Sequence, residues 1–422
     1  MLYREAGQFK TSYASDMAIF PIAQDRIGVY LLLAFAFIGV PLLSFFKIGW
    51  FGHDYIYKAL LIPFLILALA AIGLNILTGY CGQISLGAGA FMAIGAYAAY
   101  NFALRVPGLP VLVAIVLGGG VSALVGIVFG LPSLRIKGLY LAVATLAAQF
   151  FFDWLFLRVK WFTNYTPSGS VNAPGLDILG LTISSPLERY LLALSFVTVG
   201  ALMAKNLVRG NLGRQWMAIR DMDIAAEIMG IRPLYAKLSA FAVSSFFVGV
   251  AGALWAFVHL GSWEPLAFSI DRSNQLLFMV IIGGLGSILG SFLGAAFILL
   301  LPIMLDQLIP PIAGLIKWLP FGAEGSGWYK LIDHIQSVET VSHLTFIITG
   351  SLICILLIKE PHGFARLWTI SQEKLRTWPF PNKCRRSGRG GPSPPRPDTA
   401  LRRSSGLGLK RPLPDLRAPP FS

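Results

Sequence analysis

Long apolar runs recur along this chain with only short polar segments between them. A membrane-crossing helix needs about 20 mostly apolar residues. Eight stretches reach that length: Ile27–Phe46, Ala59–Thr78, Ile84–Leu104, Val111–Leu131, Leu139–Leu157, Tyr190–Val208, Leu238–Leu260 and Val341–Ile358. A ninth, Leu276–Leu305, is too long for one straight crossing. As a single helix it would reach about 45 Å, against a hydrocarbon core of about 30 Å. It also carries Gly283, Gly284, Gly286, Gly290 and Gly294, so a broken or re-entrant segment is expected. The pattern predicts an all-α fold: a polytopic transmembrane helical bundle of about eight full spans plus this Gly-rich element.

Composition excludes the soluble alternative that 422 residues would otherwise allow. Hydrophobic residues make up 55 % and charged residues 13 %, where a globular domain carries about 25 % charged. The mean hydropathy is +0.69. The net charge of +14 is concentrated after Asn382, where ten Lys/Arg and two Asp leave +8. The rest is ordinary for a membrane protein with basic inner loops, so nucleic acid is not an expected partner. Residues 1–26 mix three basic with three acidic side chains and lead into a full-length span, which argues against a cleavable signal.

Loop charge sets the expected orientation. Lys205, Arg209, Arg214, Arg220, Arg232 and Lys237 crowd the segment 205–237, which places it in the cytoplasm. Counting outward from it puts both termini and the loop with Arg135 and Lys137 inside. The loops 47–58, 105–110, 158–189, 261–275 and 306–340 then fall outside. Charge and parity agree only if Leu276–Leu305 bends. The expected organisation is a cytoplasmic segment 1–26, a membrane domain 27–358, a cytoplasmic segment 359–381 and a basic, Pro-rich disordered tail 382–422.

Two glycine clusters interrupt this pattern, Gly79–Gly89 after the second span and Gly283–Gly294 in the long one. On the expected topology the first lies near the cytoplasmic side and the second opens from the outer side. Interrupted helices of opposite sense point to an inverted repeat around a solute path; otherwise the glycines only let helices pack closely. Gln83, Ser85, Gly87, Gly283, Gly284, Gly286 and Ser287 are the candidate path residues.

The segment 205–237 carries nine charges in 33 residues. Its centre, Gly213–Gly230, reads as one short cytosolic helix ending at a glycine. Trp216, Ile219, Ile224 and Ile228 exceed what so short a loop can bury, which marks a docking surface; otherwise it is a solvated loop obeying the charge rule. Within it, Ile224-Ala225-Ala226-Glu227-Ile228-Met229-Gly230 has the spacing of the EAA motif of ABC importer permeases. With Gly73-Leu-Asn-Ile-Leu-Thr-Gly-Tyr-Cys-Gly-Gln-Ile-Ser-Leu-Gly-Ala-Gly-Ala-Phe91, the stretches Ala218–Gly230 and Lys237–Gly252, and Gly283-Gly-Leu-Gly-Ser-Ile-Leu-Gly290, residues 25–380 resemble branched-chain amino acid ABC transporter permeases of the LivM type. The first motif position is Ile224 in place of an acid, with Asp223 just before it.

The resemblance implies a permease subunit in a bacterial inner membrane. It implies a second permease subunit (identical or not), two cytosolic ABC ATPase subunits and a periplasmic substrate-binding protein. It implies ATPase coupling through Trp216, Ile219, Ile224, Ala225, Ala226, Glu227 and Gly230. No G-x-x-x-x-G-K-[ST] loop occurs in the chain, so ATP hydrolysis is expected in separate subunits. No cofactor is expected: the histidines (His53, His259, His334, His343, His362) and cysteines (Cys81, Cys354, Cys384) lack ligand spacing. Asp153 is the one clear ionisable group within a span. Urea or a short amide as solute, or an uncoupled channel, stay open at this level.

Overall fold

The computed structural model describes residues 23–46, 54–131, 139–166, 169–178, 181–183, 185–317, 338–360 and 363–377. The Arg135/Lys137 loop, most of the 306–340 loop, His53, His334, His362, Cys384 and the tail 382–422 lie outside them.

The helices follow the apolar runs closely. In chain order they are α1 (Arg26–Phe45), α2 (Ile56–Tyr80), α3 (Ala88–Arg105), α4 (Val111–Gly130), α5 (Leu139–Arg158), α6 (Pro186–Arg209), the short α7 (Asn211–Asp221) and α8 (Asp223–Ile228). Then come α9 (Pro233–Leu260), α10 (Ile270–Gly283), α11 (Ile288–Lys317), α12 (Val338–Lys359) and α13 (Gly363–Thr377). Seven of these are long and apolar enough to cross a membrane. The strands are two-residue pairs: β1 (Val171–Asn172) with β4 (Ser262–Trp263), and β2 (Asp177–Ile178) with β3 (Leu181–Thr182), all antiparallel. Among the described residues four stretches are wide π turns: Phe35–Gly39, Ile56–Leu61, Ile76–Tyr80 and Trp255–Leu260.

The described residues from Ala23 to Glu373 form one compact unit. Its centre is α2 and α9, each with 83 % of its apolar window buried, while α1 has 6 % buried. The reason is residue size. Along α3 and α9, glycines and alanines let the backbones touch: a Cβ on Gly95 would strike the Gly249 carbonyl, and one on Gly252 would strike the Met92 carbonyl. Small residues at such crossings replace the hydrophobic drive that lipid cannot supply. Helix α4 closes against both, and α1 lies outside, held by Tyr57 Oη to the Val40 carbonyl (3.2 Å) and Tyr190 Oη to the Ala36 carbonyl (3.1 Å).

Contacts sort the connections into two ends. At one, β1 pairs with β4, and Arg105 Nη2 donates to the Trp161 carbonyl (2.9 Å). This joins the loops 105–110, 158–185 and 261–269. At the other, Arg220 Nη1 donates to the Gly79 carbonyl (2.9 Å), and a Cβ on Gly363 would press on Gly284. The long described helices run between these two ends.

Three expectations need correction, and the expected break in Leu276–Leu305 is found. Ile84–Leu104 is not all helix: residues 81–87 run non-helical and α3 starts at Ala88. The stretch Leu276–Leu305 is two helices, α10 and α11, broken at 284–287, where Gly284 (φ +112°) and Gly286 (φ +77°) turn the chain. The two glycine clusters do not open from opposite sides. A Cβ on Gly79 would strike Gly286 N, so they meet at one end. Finally, Gly213–Gly230 is two helices, because Met222 is extended (φ −154°, ψ 103°).

Candidate functional site

The first break begins where α2 ends in the wide turn Ile76–Tyr80. Gly82, at φ +72°, packs on the Arg220 side chain, and the chain then runs past α5 and α10 before α3 begins. A helix starting inside a bundle leaves backbone N–H groups without partners. Here neighbouring helices supply them. Leu86 N donates to Thr145 Oγ1 (2.9 Å), Gly89 N to Ser273 Oγ (2.7 Å) and Ala90 N to Gln149 Oε1 (2.6 Å). Ser273 Oγ donates to Gln149 Oε1 (2.9 Å), and Gln149 Nε2 donates to Asp153 Oδ1 and to the Phe268 carbonyl (3.0 Å each). Gln149 and Ser273 are fully buried. The result is a polar network across α3, α5 and α10 within an apolar bundle.

The second break, 284–287, is tied to the first by Asn75. Asn75 Nδ2 donates to the Ser287 carbonyl (2.8 Å) and to Ser291 Oγ (2.9 Å), while Asn75 Oδ1 accepts from Gly286 N (2.9 Å). Ser287 Oγ accepts from Gly290 N (3.1 Å) and so caps α11. Among the candidate path residues, Gly286 and Ser287 belong to this junction, with Gly283 and Gly284 beside it. Gln83, Ser85 and Gly87 lie along the first break instead. Gln83 and Ser85 are buried; Ser85 Oγ accepts from Gly87 N (3.4 Å), and Gln83 Oε1 has no partner.

Sequence reasoning missed Asn75, Thr145, Gln149, Ser273 and Arg220 as parts of the site. A signal was present for three positions: Thr145, Gln149 and Asp153 stand at i, i+4 and i+8, one polar stripe along an otherwise apolar helix. A separate cavity of about 490 Å³ between α3, α4 and α5 is lined mainly by apolar side chains such as Tyr97, Val125 and Phe156, and neither break reaches it.

The helical pair α7–α8 hangs from the junction end through Arg220. It divides the predicted docking residues into two sets. Trp216 is fully buried, its Nε1 donating to Ser239 Oγ (3.0 Å) on α9, and Ile219 and Ala226 are buried as well. These three face their own chain: of the four apolar residues expected to exceed what the loop can bury, Trp216 and Ile219 are covered, Trp216 against α9, and only Ile224 and Ile228 are left for a docking surface. Ile224 (73 % exposed) and Ile228 (82 % exposed) face out, with Met222 and Met229. Glu227 is exposed and Ala225 half-buried. Lys237 Nζ bonds Asp223 Oδ2 at 2.9 Å, pinning the start of α8 to α9, and Gly230 closes α8 at φ +86°. Among the described residues no group of three or more metal-ligating side chains occurs.

The family described as "Branched-chain amino acid transport system / permease component" matches residues 56–321. Over 259 residues the chain is 34 % identical to the high-affinity branched-chain amino acid transport system permease protein LivM of Salmonella typhimurium, covering 56 % of this chain and 60 % of that protein. It is 33 % identical over 248 residues to the protein of the same name from Escherichia coli, covering 53 % and 57 %. The chain thus spans at most 60 % of the length of these curated relatives. No solved structure matches it significantly.

Proposed function

From the premise that this chain belongs to the family of branched-chain amino acid transport permease components, we propose that it is the membrane-spanning permease subunit of an ATP-driven ABC importer for leucine, isoleucine and valine. The complex would contain a second permease subunit, two cytosolic ATPase subunits and a periplasmic substrate-binding protein, in a bacterial inner membrane. The observation that carries the coupling part is the outward apolar face of α8. Met222, Ile224, Ile228 and Met229 are all at least 70 % exposed on and beside this short helix, and a protein cleft is the occupant that the family resemblance supplies. Behind this face, Arg220 reaches the Gly79 carbonyl and Gly79 abuts Gly286. Movement of α7–α8 would therefore bear directly on both breaks, where unwound backbone can meet a solute. Gln83, Ser85, Gly87, Gly283, Gly284, Gly286 and Ser287 are proposed to border that path.

The test is co-purification of the ATPase with Ile224→Glu/Ile228→Glu. Both side chains are exposed, so folding and membrane level should hold. Two charges forced into an apolar cleft should cost about 3 kcal/mol, or about 100-fold in affinity, and ATP-driven uptake should fall with it. Wild-type ATPase retention would remove α8 as the coupling surface. Ala226→Arg would not serve, because Ala226 is enclosed by its own chain and the change would distort α7–α8 itself.

Orientation has its own test. Both termini are proposed to be cytoplasmic, together with α8. Single cysteines at positions 228 and 165, both exposed and at opposite ends, should label from the cytoplasm and from outside respectively. Labelling from one side would overturn the arrangement.

A further inference from the structure

Near the end formed by the 158–185 and 261–269 loops, the bundle contains a cation that none of the features above uses. Arg272, in the first turn of α10, folds its guanidinium over the indole of Trp255, with Cζ 4.5 Å from the ring centroid. His259 packs on the same indole at 4.4 Å between centroids. Arg272 Nη1 donates to Gln275 Oε1 (2.6 Å), a neutral acceptor. Arg272 itself stands in neither of the ion pairs Arg220–Asp221 and Lys237–Asp223. Two N–H donors in this cluster, Arg272 Nε and Trp255 Nε1, are buried without an acceptor, and Trp255 itself is 4 % exposed.

Such an arrangement is costly within an apolar bundle. A buried donor left without an acceptor is destabilising, and an unpaired cation within a bundle is more so. An arginine that only reaches for the headgroup layer would hold its whole guanidinium in that layer; this one has Nε sealed beside an indole. Arginine's planar fork suits a planar, two-oxygen anion. The wide turn Trp255–Leu260 presents the indole to it. Ser273, the next residue on α10, belongs to the network that supports the start of α3.

We propose that Arg272 and Trp255 form a carboxylate-binding site through which the solute's α-carboxylate is recognised as it enters the path. The proposal rests on the permease reading above and adds the part of the solute that is read: carboxylate through Arg272, with Gln275 and His259 holding the Arg272–Trp255 pair in place. A lipid phosphate presents the same kind of acceptor, so the experiment separates the two sources.

Uptake of radiolabelled leucine and of leucinamide, which lacks the carboxylate, is measured in cells expressing the complete transporter. Arg272→Gln, Arg272→Lys and Trp255→Phe are compared with wild type at matched membrane levels. Arg272→Gln should lower leucine uptake about 10–100-fold at sub-saturating concentration and leave leucinamide uptake at the wild-type level. Arg272→Lys should recover part of the loss, and Trp255→Phe should raise KM with little change in maximal rate. Four results overturn the proposal. The first is wild-type leucine uptake in Arg272→Gln. The second is an equal loss of leucine and leucinamide, which marks a structural role. The third is release of co-purifying anionic phospholipid by Arg272→Gln with leucine uptake intact, which assigns the site to a headgroup. The fourth is a wild-type transporter that carries urea or an amide and not leucine, which removes the substrate reading as well. In the first and third, the permease reading stands.

Discussion

Gly95→Leu should abolish accumulation of the folded chain. A Cβ at position 95 would strike the Gly249 carbonyl, carbon and Cα, all backbone atoms of α9. Flexible side chains could yield at a cost of about 1–3 kcal/mol; here two helices must part instead. The separation would spread to α4, because α4 packs so closely there that a Cβ added at Gly118 would lie 2.5 Å from the Gly95 carbonyl. Helices α3, α4 and α9 share their tightest packing at this crossing, so a loss of about 5 kcal/mol or more is expected, in the range reserved for severe core damage. Monodisperse protein recovered in mild detergent should fall more than about tenfold, since each 1.4 kcal/mol is a factor of ten in the folding equilibrium. Gly120→Leu is the control. It makes the same exchange on α4 where nothing lies within 4 Å of the added carbon, and it should purify as wild type. Equal recovery of both variants would show that the close crossing is not required.

Asn75→Leu should be the second most damaging substitution. The side chain is 1 % exposed and serves both breaks, donating to Ser287 O and Ser291 Oγ and accepting from Gly286 N. Leucine has a similar volume but satisfies none of these groups. Each abandoned buried partner costs about 1–3 kcal/mol in water-soluble proteins, and interhelical bonds in membranes average less, about 0.6 kcal/mol. A combined loss of about 3 kcal/mol is expected, which corresponds to a fall in melting temperature of about 10 °C for a domain of moderate size. Asn75→Asp retains the acceptor and loses both donated bonds, so it should fall between. A shift below about 2 °C for Asn75→Leu would mean that the junction is held by the glycine contacts alone.

Much of this was written in the sequence, and the parts that were not share a cause. The spans are legible because lipid demands about 20 apolar residues whatever the fold, and α1, α2, α4, α5, α6 and α9 start and end within a few residues of the runs. The break at 284–287 is legible because 30 apolar residues with five glycines cannot make one crossing. The start of α3 is not, because Ile84 and Leu86 are as apolar in extended backbone as in a helix. The face to which each break turns depends on contacts over 200 residues apart, such as Asn75 with Ser287, and hydropathy carries no trace of them. Trp216 and Ile219 read as surplus apolar residues because the loop was weighed alone; α9 covers them. Arg272 escaped because it precedes Leu276, where the apolar run begins.

The wide turns in α2 have an evolutionary consequence. A π turn holds one residue more than an α turn, and each residue advances a helix by about 100°. The turns Ile56–Leu61 and Ile76–Tyr80 bracket the regular stretch Ile62–Asn75. Loss of a single residue at either would relax that turn to ordinary helix and keep the hydrogen-bond ladder whole, where a deletion elsewhere would disturb the span. At the second turn it would also swing Gly79 by about 100°, away from Gly286 and Arg220. Insertions and deletions are usually the business of loops; in α2 they offer a way to re-aim the junction from inside the membrane. Aligning related chains through this span therefore calls for gaps at these two turns, where a hydropathy plot alone would forbid them.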